Sequence, residues 1–347
     1  MGSQSGGQPA LLKVLNGEAT AIPPIWLMRQ AGRYLPEYRS VRVKAGSFLD
    51  LCYNPELASE VTLQPIERFD FDAAILFADI LLIPHALGQN LRFVEGEGPR
   101  LDPVITTALL EKFRGKNIHE TLAPVYETVA LTRKALAGEK ALIGFAGAPW
   151  TVATYMLAGG PSKEPAGLRS LWYDQPELVE GLLDILVETT IDYLCRQVEA
   201  GADVLQLFDT WAGGLPEPLT RKFSLEPLQK IASAVRRRHP DIPVILFPKG
   251  VSALLGDYAR LEACAGVSID FSTSWSLARE LITPHAAVQG GLDPMLVVKG
   301  GAAMEKPARE LAALFRDKPY IFNLGHGLTP DTPPENVGRL VVIIRAG

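Results

Sequence analysis

Eight short, β-rich apolar runs recur along the chain, each separated from the next by enough residues for a helix. They are Ile25–Met28, Ala73–Phe77, Ala141–Phe145, Val204–Phe208, Val244–Phe247, Val267–Phe271, Ala287–Gln289 and Tyr320–Asn323. Most are apolar throughout rather than alternating, which is how strands buried on both faces of a parallel sheet read. The intervening chain is helix-forming. Leu178, Leu182, Ile185 and Leu186 fall on one helical face, with Pro176 suited to a first helical position and Gly201 to a stop. Asn54-Pro55-Glu56-Leu57 opens another helix, which Pro65 should kink or end, and Ala308–Phe315 is a further amphipathic stretch. Leu91–Gly138 shows no clear strand and reads as an insertion with extra helices. Strands alternating with helices imply an α/β fold, a (β/α)8 barrel in preference to an open sheet. No Gly-x-Gly-x-x-Gly follows any run, so dinucleotide binding loses its main support. With no composition break, the expected organisation is a flexible tail over residues 1–9 and a single barrel domain over 10–347.

Charge narrows the function classes. The chain carries 34 Lys+Arg against 39 Asp+Glu, net −5, whereas a general nucleic-acid binder is usually basic. Cys52, Cys195 and Cys264 form no CxxC pair, so a disulfide framework is implausible and a reducing compartment fits. Residues 1–18 lack an apolar signal core, and Ala73–Ile83 is about half a membrane span and contains Asp79. The expectation is a cytoplasmic protein with no membrane or nucleic-acid partner. There is no zincin motif at His119-Glu120, no Gly-x-Ser-x-Gly elbow and no Walker A sequence. Five scattered histidines and no paired cysteines make a zinc site improbable.

In a barrel, chemistry sits where the strands end. Residues 29–44 hold Arg29, Arg33, Arg39, Arg42 and Lys44 against one acid, Glu37, on an otherwise acidic protein. Arginine forks bind carboxylates or phosphates, and Gly32 lets backbone N–H groups approach a ligand. A solvated basic loop is the plainer alternative. Asp79 follows an apolar run, where a carboxylate is costly without partners. It is either a helix cap or a buried acceptor for ligand N–H groups. Tyr155 is either core or site, Thr210 a cap or a site hydroxyl, and His326, between two glycines, a loop hydrogen-bonder or a site residue. The loop after the fifth run reads Pro248-Lys249-Gly250.

These residues have a familiar arrangement. Pro24 through Arg39, PIWLMRQAGRYLPEYR, resembles the N-terminal signature of the uroporphyrinogen decarboxylase family. Gly144-Phe145-Ala146-Gly147-Ala148-Pro149-Trp150-Thr151 with Tyr155 is similar to the family's second signature. Gln206 to Asp209 with Ala212-Gly213, and Asn323 to Gly327, complete the match from about residue 10 to the C-terminus. The resemblance implies a distorted (β/α)8 barrel, a homodimer, and conversion of uroporphyrinogen III to coproporphyrinogen III without metal or organic cofactor. It implies substrate contacts from Arg29, Gln30, Ala31, Gly32, Arg33, Asp79, Tyr155, Thr210 and His326. Two positions depart from the family pattern: Ala78 stands where a Ser commonly precedes the aspartate, and Thr210 where a Ser is usual.

The implied chemistry suits the residues. Arg29 and Arg33 can hold carboxylates of an eightfold-acidic macrocycle, and Asp79 can accept its pyrrole N–H groups. Protonating a pyrrole carbon creates an electron sink within the substrate, and Asp79 would stabilise the positive charge that develops. Arg29, Tyr155 and His326 are the candidate proton donors, with His having the best unperturbed pKa for the task. Two rival readings exist. One is a zinc-dependent corrinoid or coenzyme methyltransferase on a related barrel, which would need His and Cys ligands near the later strands. The other is a non-catalytic tetrapyrrole carrier.

Overall fold

The computed structural model describes residues 7–94, 97–161 and 165–347. Residues 1–6 of the expected tail lie outside that set. The chain leaves it through Pro9 into a helix over Ala10–Leu15.

The strands in chain order are β1 (Ala73–Ile75), β2 (Leu91–Val94), β3 (Gly98–Leu101), β4 (Ala141–Gly147), β5 (Val204–Asp209), β6 (Val244–Pro248), β7 (Cys264–Ile269), β8 (Ala287–Gly290) and β9 (Tyr320–Ile321). Seven of them form one parallel sheet in the order β1-β4-β5-β6-β7-β8-β9, curled into a barrel, with helices in the crossovers. The expected first strand, Ile25–Met28, is present only as a bridge from Ile25 to Phe322 beside β9. It reaches β1 through irregular bonds: Ile25 N–H to Asp72 Oδ2 at 2.7 Å, Asp72 N–H to the Ile25 carbonyl at 2.9 Å, and Gln30 Nε2 to the Ala73 carbonyl at 3.1 Å. Pro23 and Pro24 have no N–H to give a ladder, so the eighth position is filled without a true strand and the ring is not fully closed.

Strand alternation sorts the core into two layers. Ala73, Ala141, Ile143, Val204, Ile245, Phe247, Ala287 and Ile321 point inward with Trp26 and Met28, and Leu11, Val14 and Leu15 of the first helix plug the lower end. Above them lies a buried polar layer. Trp26 Nε1 donates to Gln289 Oε1 at 3.0 Å, and Gln289 Nε2 donates to Gln206 Oε1 at 3.1 Å and Ser268 Oγ at 3.2 Å. The outward-facing residues pack against the helices in a second, larger core.

Three expectations need correction. Leu91–Gly138 does contain strands: β2 and β3 form an antiparallel hairpin. Charged residues and Pro99 hid it, since only Leu91 and Leu101 are buried. Of the two outcomes expected at Pro65, a kink or an end, the end does not occur: the helix runs Pro55–Phe69 with Pro65 and Phe69 both buried. The sixth run is shifted: the strand is Cys264–Ile269, and Phe271 lies beyond it, 48% exposed. Among the described residues no helix is long and apolar enough to cross a membrane.

Candidate active site

Inward alternation continued past the strand ends predicts which side chains face the mouth. From Ala73 and Ile75 the phase reaches Asp79, from Val204 and Phe208 it reaches Thr210, and from Ile245 and Phe247 it reaches Lys249. Beneath them, Phe145, Phe208 and Phe247 stack edge to face, with centroids 5.6 and 6.1 Å apart.

Asp79 sits deep in the molecule and is still partly accessible. Its Oδ1 accepts from Leu81 N–H at 2.8 Å, a turn that leads into the helix Leu82–Ala86. This bond closes a turn before the helix and does not cap it, and among the described residues the second oxygen has no partner. Burial pushes this carboxyl up to about 6, with the Leu81 bond and the Arg29 charge opposing it.

Arg29 has φ 63°, in the left-handed region rarely used by a non-glycine residue. It is the third residue of a turn closed by Gln30 N–H to the Leu27 carbonyl at 2.9 Å, a position that favours Gly or Asn. The strain aims the side chain across Gly327, where a Cβ would overlap Arg29 Cγ and Cδ. Gly325 passes just as close to the backbone of Asp270 and Phe271. The two glycines therefore explain the setting of His326: they let its loop thread between Phe271 and Arg29. His326 Nδ1 accepts from Gly327 N–H at 2.8 Å, which leaves the proton on Nε2. Burial and the charges of Arg29 and Lys249 hold this imidazole down to about 4, so it is neutral at neutral pH. Its surroundings thus move His326 away from the ordinary imidazole range that made it one of three candidate donors.

The basic stretch divides in two. Arg39 bonds the carbonyls of Arg33 and Tyr34, and Arg42 that of Gly46, as a solvated loop would. The guanidinium groups of Arg29 and Arg33 make no hydrogen bond or ion pair among the described residues. Gln30 is buried: its N–H and both ends of its side-chain amide bond neighbouring backbone, and its carbonyl accepts from Tyr34 at 2.8 Å, which shapes the loop. Ala31 and Gly32 are partly exposed beside it.

Tyr155 lies on the helix Pro149–Ala158 and packs against Leu81, Leu91 and Leu101, so the hairpin walls the site. Burial raises its phenol. Behind it is Asp209, a motif residue to which the sequence alone assigns no role. Its outward carboxylate accepts from Thr151 Oγ1 at 2.6 Å and Ser224 Oγ at 2.5 Å. Thr151 in turn accepts from Trp211 N–H at 3.1 Å, so Asp209 ties the Tyr155 helix to the loop bearing Thr210. Thr210 caps no helix, and its hydroxyl has no partner among the described residues.

The family model for uroporphyrinogen decarboxylase (URO-D) matches residues 7–347. The chain belongs to this family. Uroporphyrinogen decarboxylase of Rhodospirillum rubrum is 49% identical over 346 residues, covering 100% of this chain and 99% of that protein. The Jannaschia sp. protein of the same name is 51% identical over 337 residues (97% and 98% covered), and that of Agrobacterium fabrum 50% over 336 residues (97% of each). The chain is therefore an enzyme, a decarboxylase of the lyase class. Two solved structures share its fold. A methyltransferase from Methanosarcina mazei has a TM-score of 0.76 at 24% identity, covering 97% of each chain. A B12-independent methionine synthase from Shewanella sp. W3-18-1 has a TM-score of 0.57 at 10% identity, covering 94% of this chain and 98% of that one. Those likenesses concern architecture alone.

The ligand set that the methyltransferase reading requires is not assembled at this mouth. Among the described residues no group of three or more His, Cys, Asp or Glu is placed to hold a metal ion. Cys264 lies at the start of β7, the opposite end of the barrel from the mouth, with its thiol donating to the Gly266 carbonyl at 3.3 Å.

Proposed function

We propose that this mouth binds uroporphyrinogen III and removes the carboxyl groups of its four acetate side chains, giving coproporphyrinogen III. The observation that carries the reading is a deep but partly accessible carboxylate, Asp79, near enough to Arg29 to feel its charge, with the Arg29 guanidinium unpaired among the described residues. The four pyrrole N–H groups of a domed macrocycle converge on one acceptor, and the free oxygen of Asp79 suits them. Arg29 and Arg33 meet peripheral carboxylates. Thr210 and the Nε2–H of His326 supply neutral hydrogen bonds.

In each round a proton adds to a ring carbon, and the positively charged pyrrole takes up the electron pair as the bond to CO2 breaks. A second proton converts the exocyclic methylene to methyl, and the ring proton leaves. Net, one proton is consumed and one CO2 released per acetate. Asp79 stabilises the cationic intermediate through charge. The substrate supplies its own electron sink, so these steps call on no organic cofactor. His326, neutral and hydrogen-bonded at Nδ1, acts as a hydrogen-bond donor. Of the three candidate acids this leaves Arg29 and Tyr155. Homodimeric assembly in the cytoplasm belongs to the same reading, and sedimentation velocity checks the assembly.

The test is anaerobic incubation with uroporphyrinogen III, with chelator and no added cofactor, followed by oxidation and chromatographic counting of carboxylates. Stepwise loss from eight to four is expected. Folded protein that leaves eight-carboxylate material unchanged overturns the reading. Material bound but unconverted would favour a carrier.

A further inference from the structure

Going around the barrel, the Ile25 segment sits between β9 and β1, and the ring continues β4, β5, β6, β7, β8 back to β9. The segment that carries Arg29 is therefore half a turn from β6. The side chain that follows β6 in the inward phase is Lys249. Its backbone is clamped on both sides: its N–H donates to the Asp209 carbonyl at 3.1 Å, and its carbonyl accepts from Gly213 N–H at 2.9 Å. Gly213 and Gly250 touch backbone to backbone, which fixes the loop further. The ammonium has no hydrogen bond or ion pair among the described residues. The nearby acid, Asp270, is already engaged, with Oδ2 accepting from Gly250 N–H at 2.7 Å and Oδ1 from Ser272 N–H at 2.8 Å. Lys249 is half-buried and near enough to His326 to act on it electrostatically. An unpaired cation held at a mouth wall is what a polyanionic ligand requires, and a lysine presents it as a point charge.

We propose that Lys249 is a substrate-binding residue that engages a peripheral carboxylate of the macrocycle on the side opposite Arg29 and Arg33. A ring with carboxylates around its whole rim is not fixed by cations on one side alone. Lys249 supplies the second anchor, and it holds a carboxylate other than the one reacting. This rests on the function proposed above and deepens it by assigning a second anionic subsite.

The test is steady-state kinetics of Lys249→Met, Lys249→Arg and Lys249→Glu on uroporphyrinogen III, with thermal melting of each. Loss of one charge-assisted contact at a water-accessible site raises KM about tenfold. The proposal expects that rise in Lys249→Met, with kcat within about threefold and an unchanged Tm. Lys249→Arg should restore KM, Lys249→Glu should raise it further, and the salt dependence of KM should flatten in Lys249→Met. An unchanged KM in Lys249→Met and Lys249→Glu, or a loss confined to kcat, overturns it. Wild-type protein in the same assay separates the two levels: if it converts the substrate while the variants behave like it, only the subsite falls. If the wild type is inactive, the function itself falls.

Discussion

Replacing Asp79 by Asn should make the protein more stable and less active, with a pH signature. Folding moves this carboxyl from an ordinary 3.8 to about 6. The folded state therefore holds the proton more tightly than the unfolded chain. As pH rises from about 4 to about 6 the unfolded state is favoured by its earlier ionisation, so stability falls through that window and is level above it. At about 1.36 kcal/mol per factor of ten in proton affinity, the ionised carboxylate costs about 2–3 kcal/mol at pH 8, the lower figure allowing for cavity water. Asn avoids that cost and still accepts from Leu81 through Oδ1. A chain of 347 residues unfolds with an entropy of about 0.7 kcal/mol/K, so Asp79→Asn should melt about 3–4 °C higher at pH 8. The gain should shrink to less than half near pH 4, where the wild-type carboxyl is largely protonated. Turnover should drop about 10²–10³-fold, the usual effect of removing one charge-stabilising group. The acid limb of kcat/KM near pH 6 should vanish with it. Calorimetry at the two pH values and a pH–rate profile decide the matter. A variant that melts lower at pH 8, or keeps near-normal turnover, would refute the role given to this carboxylate.

Three further outcomes follow from the same geometry. Gly327→Ala puts a methyl group against Arg29 Cγ and Cδ. A flexible side chain yields where backbone could not, so folding should survive while KM rises about tenfold, as steady-state kinetics will show. Thr151→Val deletes the 2.6 Å bond to the buried Asp209 carboxylate and should cost about 1.5–3 kcal/mol in urea unfolding. A cost under about 0.5 kcal/mol would mean that Asp209 does not hold the Tyr155 helix. His326→Gln should leave the acid limb near pH 6 in place, because an imidazole held down to about 4 is already neutral there. A limb that moves in this variant would return the proton-donor role to His326.

The sequence made the barrel legible where burial is two-sided, as in Ala141–Gly147, and obscured it where burial is partial. The Ile25 segment reads as a short strand from its apolar residues, but its preceding prolines prevent a ladder. The hairpin is lost in what reads as a helical insertion because Arg92 and Arg100 face each other across it. Each of these arginines turns to a neighbouring acid, Arg92 to Asp102 at 3.7 Å and Arg100 to Glu97 at 2.9 Å. At the site, residue types exposed Arg29, Arg33 and Asp79, since charge beside an apolar run is conspicuous. Gln30 could not be separated from its neighbours, because nothing in a loop sequence tells which amide turns inward. The His326 environment was equally hidden, since its neighbours Arg29 and Lys249 lie about 300 and 77 positions away. Lys249 was within reach: the inward parity that selects Asp79 and Thr210 selects it too.

Several motif residues set the shape of the loop that carries Arg29. An Arg at φ 63° is unfavourable in isolation. It is held there because Gln30 binds the loop to β1, Tyr34 closes on Gln30, and Gly327 leaves space for the guanidinium stem. A lysine at position 29 would keep the charge and lose the fork, and any side chain at 327 would keep the fork and misplace it. The Methanosarcina mazei methyltransferase shares this architecture, and architecture alone does not set a site. Backbone strain of this kind gathers at functional sites, where the surrounding contacts over-determine it, and here those contacts fix the direction of a charge.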